Sequence, residues 1–259
     1  MKHPLRTGIC LFLALPAFIS LVHAAEDADA EGPAVTPEAK AVYDRMSATL
    51  KGLKQYSVTV QSSQDEVLNY GYKLQHNANS RLDVEPPNHL FAEVGGSVPK
   101  RYVYDGKTLT LMNVAQDYYA QTQAPDSLGG LVDALINHDV EVPLMDFLSQ
   151  SLQDSLLDGV KRGRLIGTSQ LDGKTCDHLA FREPDVDWQL WVSQGKEALP
   201  CKIVITTRYT LGDPQYQAVL KWNTSPGFKA DHFTFVPGKD ATRIPFTANN
   251  LPASQEEQP

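Results

Sequence analysis

The chain has 259 residues, 42% of them hydrophobic and 21% charged, with 31 acidic residues against 23 basic ones. This balance suits one large globular domain. A formal charge of −8 without any basic tract excludes nucleic-acid binding and docking on anionic headgroups by charge alone, so contact with a lipid would have to be apolar.

Residues 1–24 read as a secretory signal, because Lys2 and Arg6 precede an apolar run from Ile9 to Val22 and Val22-His23-Ala24 supplies small residues for cleavage. The run is broken by Pro16 and is too short for a comfortable membrane span, so no integral span is expected in the mature chain. Cleavage removes two basic and no acidic residues, deepening the charge from −8 to −10. Cys10 lacks the small residues that a lipidation site needs before it. The acidic stretch 25–35 reads as a disordered leader.

Thr36 then suits an N-cap, with Pro37 at the first helical position and Glu38 in the first turn. Val42, Met46, Leu50 and Leu53 recur at helical spacing and Gly52 marks the end, which predicts one amphipathic helix with a face to bury. From Tyr56 to Ala124 the pattern shifts to period two, predicting strands at 56–64, 68–84, 89–95, 100–105, 107–113 and 117–122. Asp105-Gly106 is suited to the positive φ of a tight hairpin, and it places Tyr102, Tyr104, Leu109 and Leu111 on one side of the pair.

Residues 125–159 interrupt the strands with helical periodicity. Leu128, Leu131, Val132, Leu135 and Ile136 form one stripe, Pro143 opens a second segment with Leu144, Phe147 and Leu148, and Leu152, Leu156 and Leu157 mark a third. Strands resume at 160–171 and pass through the densest strand signal of the chain, Cys176 to Thr210, before a last run at 216–222. Within that signal Trp188, Leu190 and Val192 alternate with Gln189, Trp191 and Ser193, so both faces carry a tryptophan and both need cover. The end from Asn249 onward reads as unstructured.

One helix, six strands, a helical insertion and five strands describe an α+β domain over 36–246, with a tail at 247–259. About eleven antiparallel strands favour a large curved sheet, a half-barrel with helices packed on its concave face. Such a shape has room for an apolar ligand between sheet and helices. The candidate lining is Leu109, Leu111, Leu131, Leu135 and Phe147, with Arg182 as a cation at the rim or as a partner of Asp185 or Glu183 in the turn.

Catalytic and metal signatures are sparse. The histidines outside the signal, His76, His89, His138, His178 and His232, show no ligand spacing, so no metal and no cofactor is expected. His178 reads as an ordinary sheet histidine, and Ser169 lies within a predicted strand and not on a nucleophile elbow. Acid pairs such as Asp105 with Glu183 or Asp187 leave a glycoside hydrolase as a remote alternative. Cys176 and Cys201 fall on the first and third strands of a meander, about 9.5 Å apart in a regular sheet. Strong twist at the strand ends would close that gap, so a disulfide between them stays open.

The stretches Tyr104-Asp105-Gly106-Lys107-Thr108-Leu109, Cys176-Asp177-His178-Leu179-Ala180-Phe181-Arg182, Asp185-Val186-Asp187-Trp188-Gln189 and Leu199-Pro200-Cys201-Lys202-Ile203-Val204-Ile205-Thr206 resemble a domain-of-unknown-function family of predicted periplasmic bacterial proteins over about residues 36–246. That family is similar in fold to the LolA and LolB type of lipoprotein-localisation carrier and to periplasmic regulators that bind an anti-sigma factor. The resemblance implies an eleven-stranded half-barrel plugged by helices and no enzyme activity. It carries over no site residue, and Cys201 stands where the family often has a basic residue.

The expected function is therefore that of a periplasmic, non-enzymatic protein holding an acyl chain, lipid or lipoprotein. A sensor or interaction module with an envelope protein as partner is the alternative, and an envelope hydrolase the weaker one. N-terminal sequencing of protein from the periplasmic fraction should begin at Ala25; Met1 retained on a membrane-embedded chain would reverse the export reading.

Overall fold

Thr36 and Pro37 start a helix in the computed structural model, which describes residues 33–136 and 156–246. This helix, α1 (Pro37–Gly52), is capped by Thr36 Oγ1, which accepts from Ala39 N, and it buries Ala39, Val42, Tyr43, Met46 and Leu50 along one face. The chain then lays down six strands: β1 (Tyr56–Val67), β2 (Lys73–Glu85), β3 (His89–Val94), β4 (Lys100–Tyr104), β5 (Thr108–Asn113) and β6 (Tyr118–Gln123). The short α2 (Leu128–Ile136) follows. After it come β7 (Arg162–Leu171), β8 (Lys174–Arg182), β9 (Val186–Ser193), β10 (Pro200–Thr207), β11 (Gln215–Asn223) and the two-residue β12 (Thr242–Arg243).

These strands form one open sheet in the order β12-β6-β5-β4-β3-β2-β1-β11-β10-β9-β8-β7. Each half is a meander of neighbours in sequence, and the halves meet where β11 pairs antiparallel with β1. All pairings are antiparallel except that of β12 with β6, so the half-barrel has the eleven expected strands and a short parallel one at its edge. The strand expected over 68–84 begins only at Lys73. Leu68 to Tyr72 form the hairpin turn instead, with Gly71 at φ +91° and its N–H donated to the Leu68 carbonyl.

Directly opposed residues in a sheet share a face, and here one face is apolar across both halves. In one half Val58, Leu82, Ala92, Tyr102, Leu111 and Ala120 stand opposite one another in turn. In the other half Leu179, Leu190, Ile203 and Ala218 do the same. All are buried, and all but Ala120 belong to one core with the apolar faces of α1 and α2. This is the concave, helix-covered face predicted from the sequence.

Both tryptophans of β9 are covered, by different means. Trp188 is buried on the core face, stacked on Phe181 at 4.0 Å, and its Nε1 donates to Glu183 Oε1 at 2.9 Å. Trp191 lies on the opposite face, where no helix packs among the described residues. There His178 stacks on it at 4.1 Å and Lys202 Nζ sits 5.1 Å from its ring.

The leader expected over 25–35 gives way to ordered chain before the helix begins. Gly163 N donates to Ala34 O and Thr36 N donates to Gly163 O, covering one end of the β7 edge. A Cβ at Gly163 would lie 2.8 Å from the Phe181 ring, so only glycine admits this approach. Residues 1–32, 137–155 and 247–259, which include the signal, Phe147 and the tail, lie outside the described residues.

Trp188→Ala removes a buried ring and leaves Glu183 without its donor. The expected loss is about 3–5 kcal/mol, read as a lower urea midpoint, and an unchanged midpoint would contradict the assignment of strand faces.

Candidate ligand-binding site

Four of the lining residues expected from the sequence come together. Leu109 and Leu111 of β5 and Leu131 and Leu135 of α2 are all buried in the same apolar core, with Tyr102 and Tyr104 of β4 beside them in register. Phe147 lies outside the described residues. The concave face is filled in this structure: α2 lays Leu128, Leu131, Val132 and Leu135 into the core that holds the face.

The two helices are held differently. On α1, Arg45 Nη2 donates to Asp177 Oδ2 at 2.7 Å, and Gln194 Nε2 donates to the other oxygen of the same carboxylate. That carboxylate sits on β8, facing the core. The helix is thus pinned by a half-buried ion pair along its length. For α2 the polar ties gather at its N-terminal end: Leu128 N donates to Pro87 O, Gly130 N to Ser127 Oγ, and Tyr104 OH to Pro125 O. Within Leu128–Ile136 two adjacent glycines and a single charge, Asp133, give this stretch of α2 little helical stability of its own.

Arg182 does not join the lining. It stands opposite Asp187 at the β8–β9 turn, on the sheet face away from the helices, and donates through Nε and Nη2 to both oxygens of that residue at 2.8 Å. Its bidentate partner is thus Asp187, across the strand pair. The Arg182 hydrogen bond is the main reason the Asp187 carboxyl is held below its usual range.

A strap that the sequence reading missed crosses the outer face. Between β11 and β12 the chain passes behind the first half, packing Phe233 on His89, His232 on Phe91, and Phe235 on Tyr119. Its anchor is Asp83 of β2, a fully buried carboxylate that accepts from Ser57 Oγ at 2.5 Å and from Arg81 Nε at 2.9 Å, with His232 Nε2 at 2.8 Å. The aromatic cluster Phe228 to Phe235 was the available signal. Beneath the strap lies a recess of about 90 Å³ lined by Val103, Thr108, Thr110, Gln121 and Phe233, small against the roughly 300–1,000 Å³ of ligand pockets.

A serine, an aspartate and a histidine here do not make a nucleophilic triad. Ser57 and His232 both bind the carboxylate of Asp83, so the hydroxyl donates to an acid and has no imidazole to take its proton. His178 is engaged with Gln189 Oε1 at 3.0 Å under the Trp191 stack. Among the described residues no three His, Cys, Asp or Glu side chains gather as metal ligands.

The chain belongs to the family described as predicted periplasmic protein (DUF2092), whose profile matches residues 39–247. No curated protein sequence matches it. Among solved structures it is similar to the lipoprotein LppX of Mycobacterium tuberculosis, with 18% identity, 72% of this chain and 96% of that one covered, and a TM-score of 0.44. It is also similar to LprF of Mycobacterium bovis, with 13% identity, 81% and 100% covered, and a TM-score of 0.47. A third likeness is to the MucA/MucB complex of Pseudomonas aeruginosa, with 14% identity, 77% and 61% covered, and a TM-score of 0.43.

The Arg182–Asp187 pair has a testable pH dependence. A carboxylate held below its ordinary range in the folded state stabilises the fold above the unfolded value, about pH 4, and that contribution is lost as acid protonates it. Asp187→Asn should thus lower the urea midpoint slightly at pH 7, and by less at about pH 3. An equal difference at both pH values would show that the pair is not the cause.

Proposed function

We propose that this member of a predicted periplasmic family is a non-enzymatic carrier or binding protein whose concave sheet face takes an acyl chain when α2 withdraws. The observation that carries the reading is the pairing of a continuous apolar face with a plug whose described stretch is itself apolar and whose polar ties, among the described residues, gather at its N-terminal end. The ligand class follows from that face: an acyl chain of a lipid or of a lipoprotein.

The energetics fit an exchange. At about 25 cal/mol per Å² of apolar surface, replacing the α2 stripe by an acyl chain is nearly neutral in transfer free energy, so net affinity comes from the additional area the ligand buries. A ligand shifts the plug only by its preference for the open state. The α1 helix, pinned by Arg45 and Asp177, serves as the fixed wall.

A specific observation also favours a protein partner from the envelope. The β1–β2 and β10–β11 tips lie side by side, with Gly212 against Val67, and they expose Tyr70, Tyr72, Tyr209 and Leu211. Exposed aromatics of this kind are enriched at interfaces. The Tyr70→Ser, Tyr209→Ser double variant would leave acyl binding intact on the carrier reading.

A fluorescent fatty acyl probe should bind wild type saturably and bind Leu135→Glu more weakly, with circular dichroism showing both folded. Absence of saturable binding across acyl and phospholipid probes would end the carrier reading. Equal binding by both proteins would move the site away from α2.

A further inference from the structure

Cys176 and Cys201 belong to β8 and β10, with β9 between them, yet their sulfurs approach to 3.0 Å. The register explains how. Cys176 stands opposite Ser193, and His178 opposite Trp191, so Cys176 lies on the outer face with that stacked pair. On β10, Pro200 stands opposite Val192 and Lys202 opposite Trp191, which leaves Cys201 as the extra residue of a bulge. A bulge bends the strand and sharpens its twist, and here it carries Cys201 toward the face of Cys176. Ser193, at the end of β9, is small, and its hydroxyl is engaged with Glu197 O and with the backbone of Leu199. The path between the sulfurs is clear.

We propose that Cys176 and Cys201 are a dithiol oxidised to a disulfide that clamps β8 to β10 over the end of β9. The oxidant required is a disulfide-bearing exchange partner, a class that acts in oxidising compartments. The Cys201 thiolate attacks the partner disulfide, giving a mixed disulfide and the first partner thiol. The Cys176 thiolate then attacks the Cys201 sulfur, forming the internal bond and expelling the second partner thiol. Two electrons pass to the partner, and the two protons lost by the protein thiols end on the thiols released. This order follows from accessibility, since Cys176 is fully buried and Cys201 half-buried. Burial also pushes the Cys176 thiol up to about 12, which makes it the slower nucleophile.

The experiment uses the full chain exported to an oxidising compartment and purified without reductant. Tryptic digestion should give the peptides 175–182 and 197–202 joined, and released by reduction. Reduction should lower the melting temperature by roughly 5–10 °C, as expected for a loop of this length in a domain of this size. With oxidised glutathione, native Cys176→Ser should acquire an adduct on Cys201, while native Cys201→Ser should acquire none on Cys176. Both peptides recovered with free thiols before reduction, a disulfide-linked dimer, or an unchanged melting temperature on reduction would each overturn the clamp; an adduct on Cys176 alone would overturn the order of attack.

Discussion

A sheet with an apolar face running from β8 to β6 cannot leave that face in water. Each large side chain on it gains about 1.5–3 kcal/mol by burial, and the strands alone bury only one another's edges. Everything else in the fold answers this requirement. The α1 helix covers part of the face with Val42, Tyr43, Met46 and Leu50, and α2 adds a second, smaller cover. The outer face is protected more thinly, by ring stacking around Trp191 and by the aromatic strap beyond β11.

Two buried carboxylates fix these covers, one on each face. Asp177 faces the core and holds α1 through Arg45, while Asp83 faces outward and holds the strap through His232. Each acid has several donors, and that multiplicity makes its burial tolerable. Neither contributes an isolated charge to a reaction. They are positional devices, setting which segments stay put and, by contrast, leaving α2 as the cover without such a tie among the described residues.

Much of this was legible in the sequence because it rests on local periodicity. Alternation located all the long strands, Thr36-Pro37 located α1, and Asp105-Gly106 located a hairpin in which Asp105 Oδ1 accepts from Lys107 N and Thr108 N. The stripe of Leu131 and Leu135 pointed to the helix-covered face for the same reason. What escaped detection depends on register. The strap has aromatics without a period, so no pattern announced it. Arg182 was read as a rim cation or as a partner of its neighbours in the turn, and the antiparallel register delivers it to Asp187 across the strand pair. The bulge at Cys201 is one residue long and changes the face of everything beyond it, so strand counting alone placed the two sulfurs too far apart.

The junction of β1 with β11 sets the order in which the sheet is completed. Ser57 pairs with Asn223 and Gln64 with Tyr216, so the central seam joins nearly the first strand made to nearly the last. Contacts so distant along the chain carry the largest loop-closure cost and form late, whereas each meander is built from local hairpins. A chain emerging from its N-terminus therefore passes through a stage with the first meander formed and the inner edge of β1 bare. Unpaired inner edges are templates for pairing with other chains. The period between the emergence of β1 and that of β11 is thus when this polypeptide most needs to be kept from its own copies.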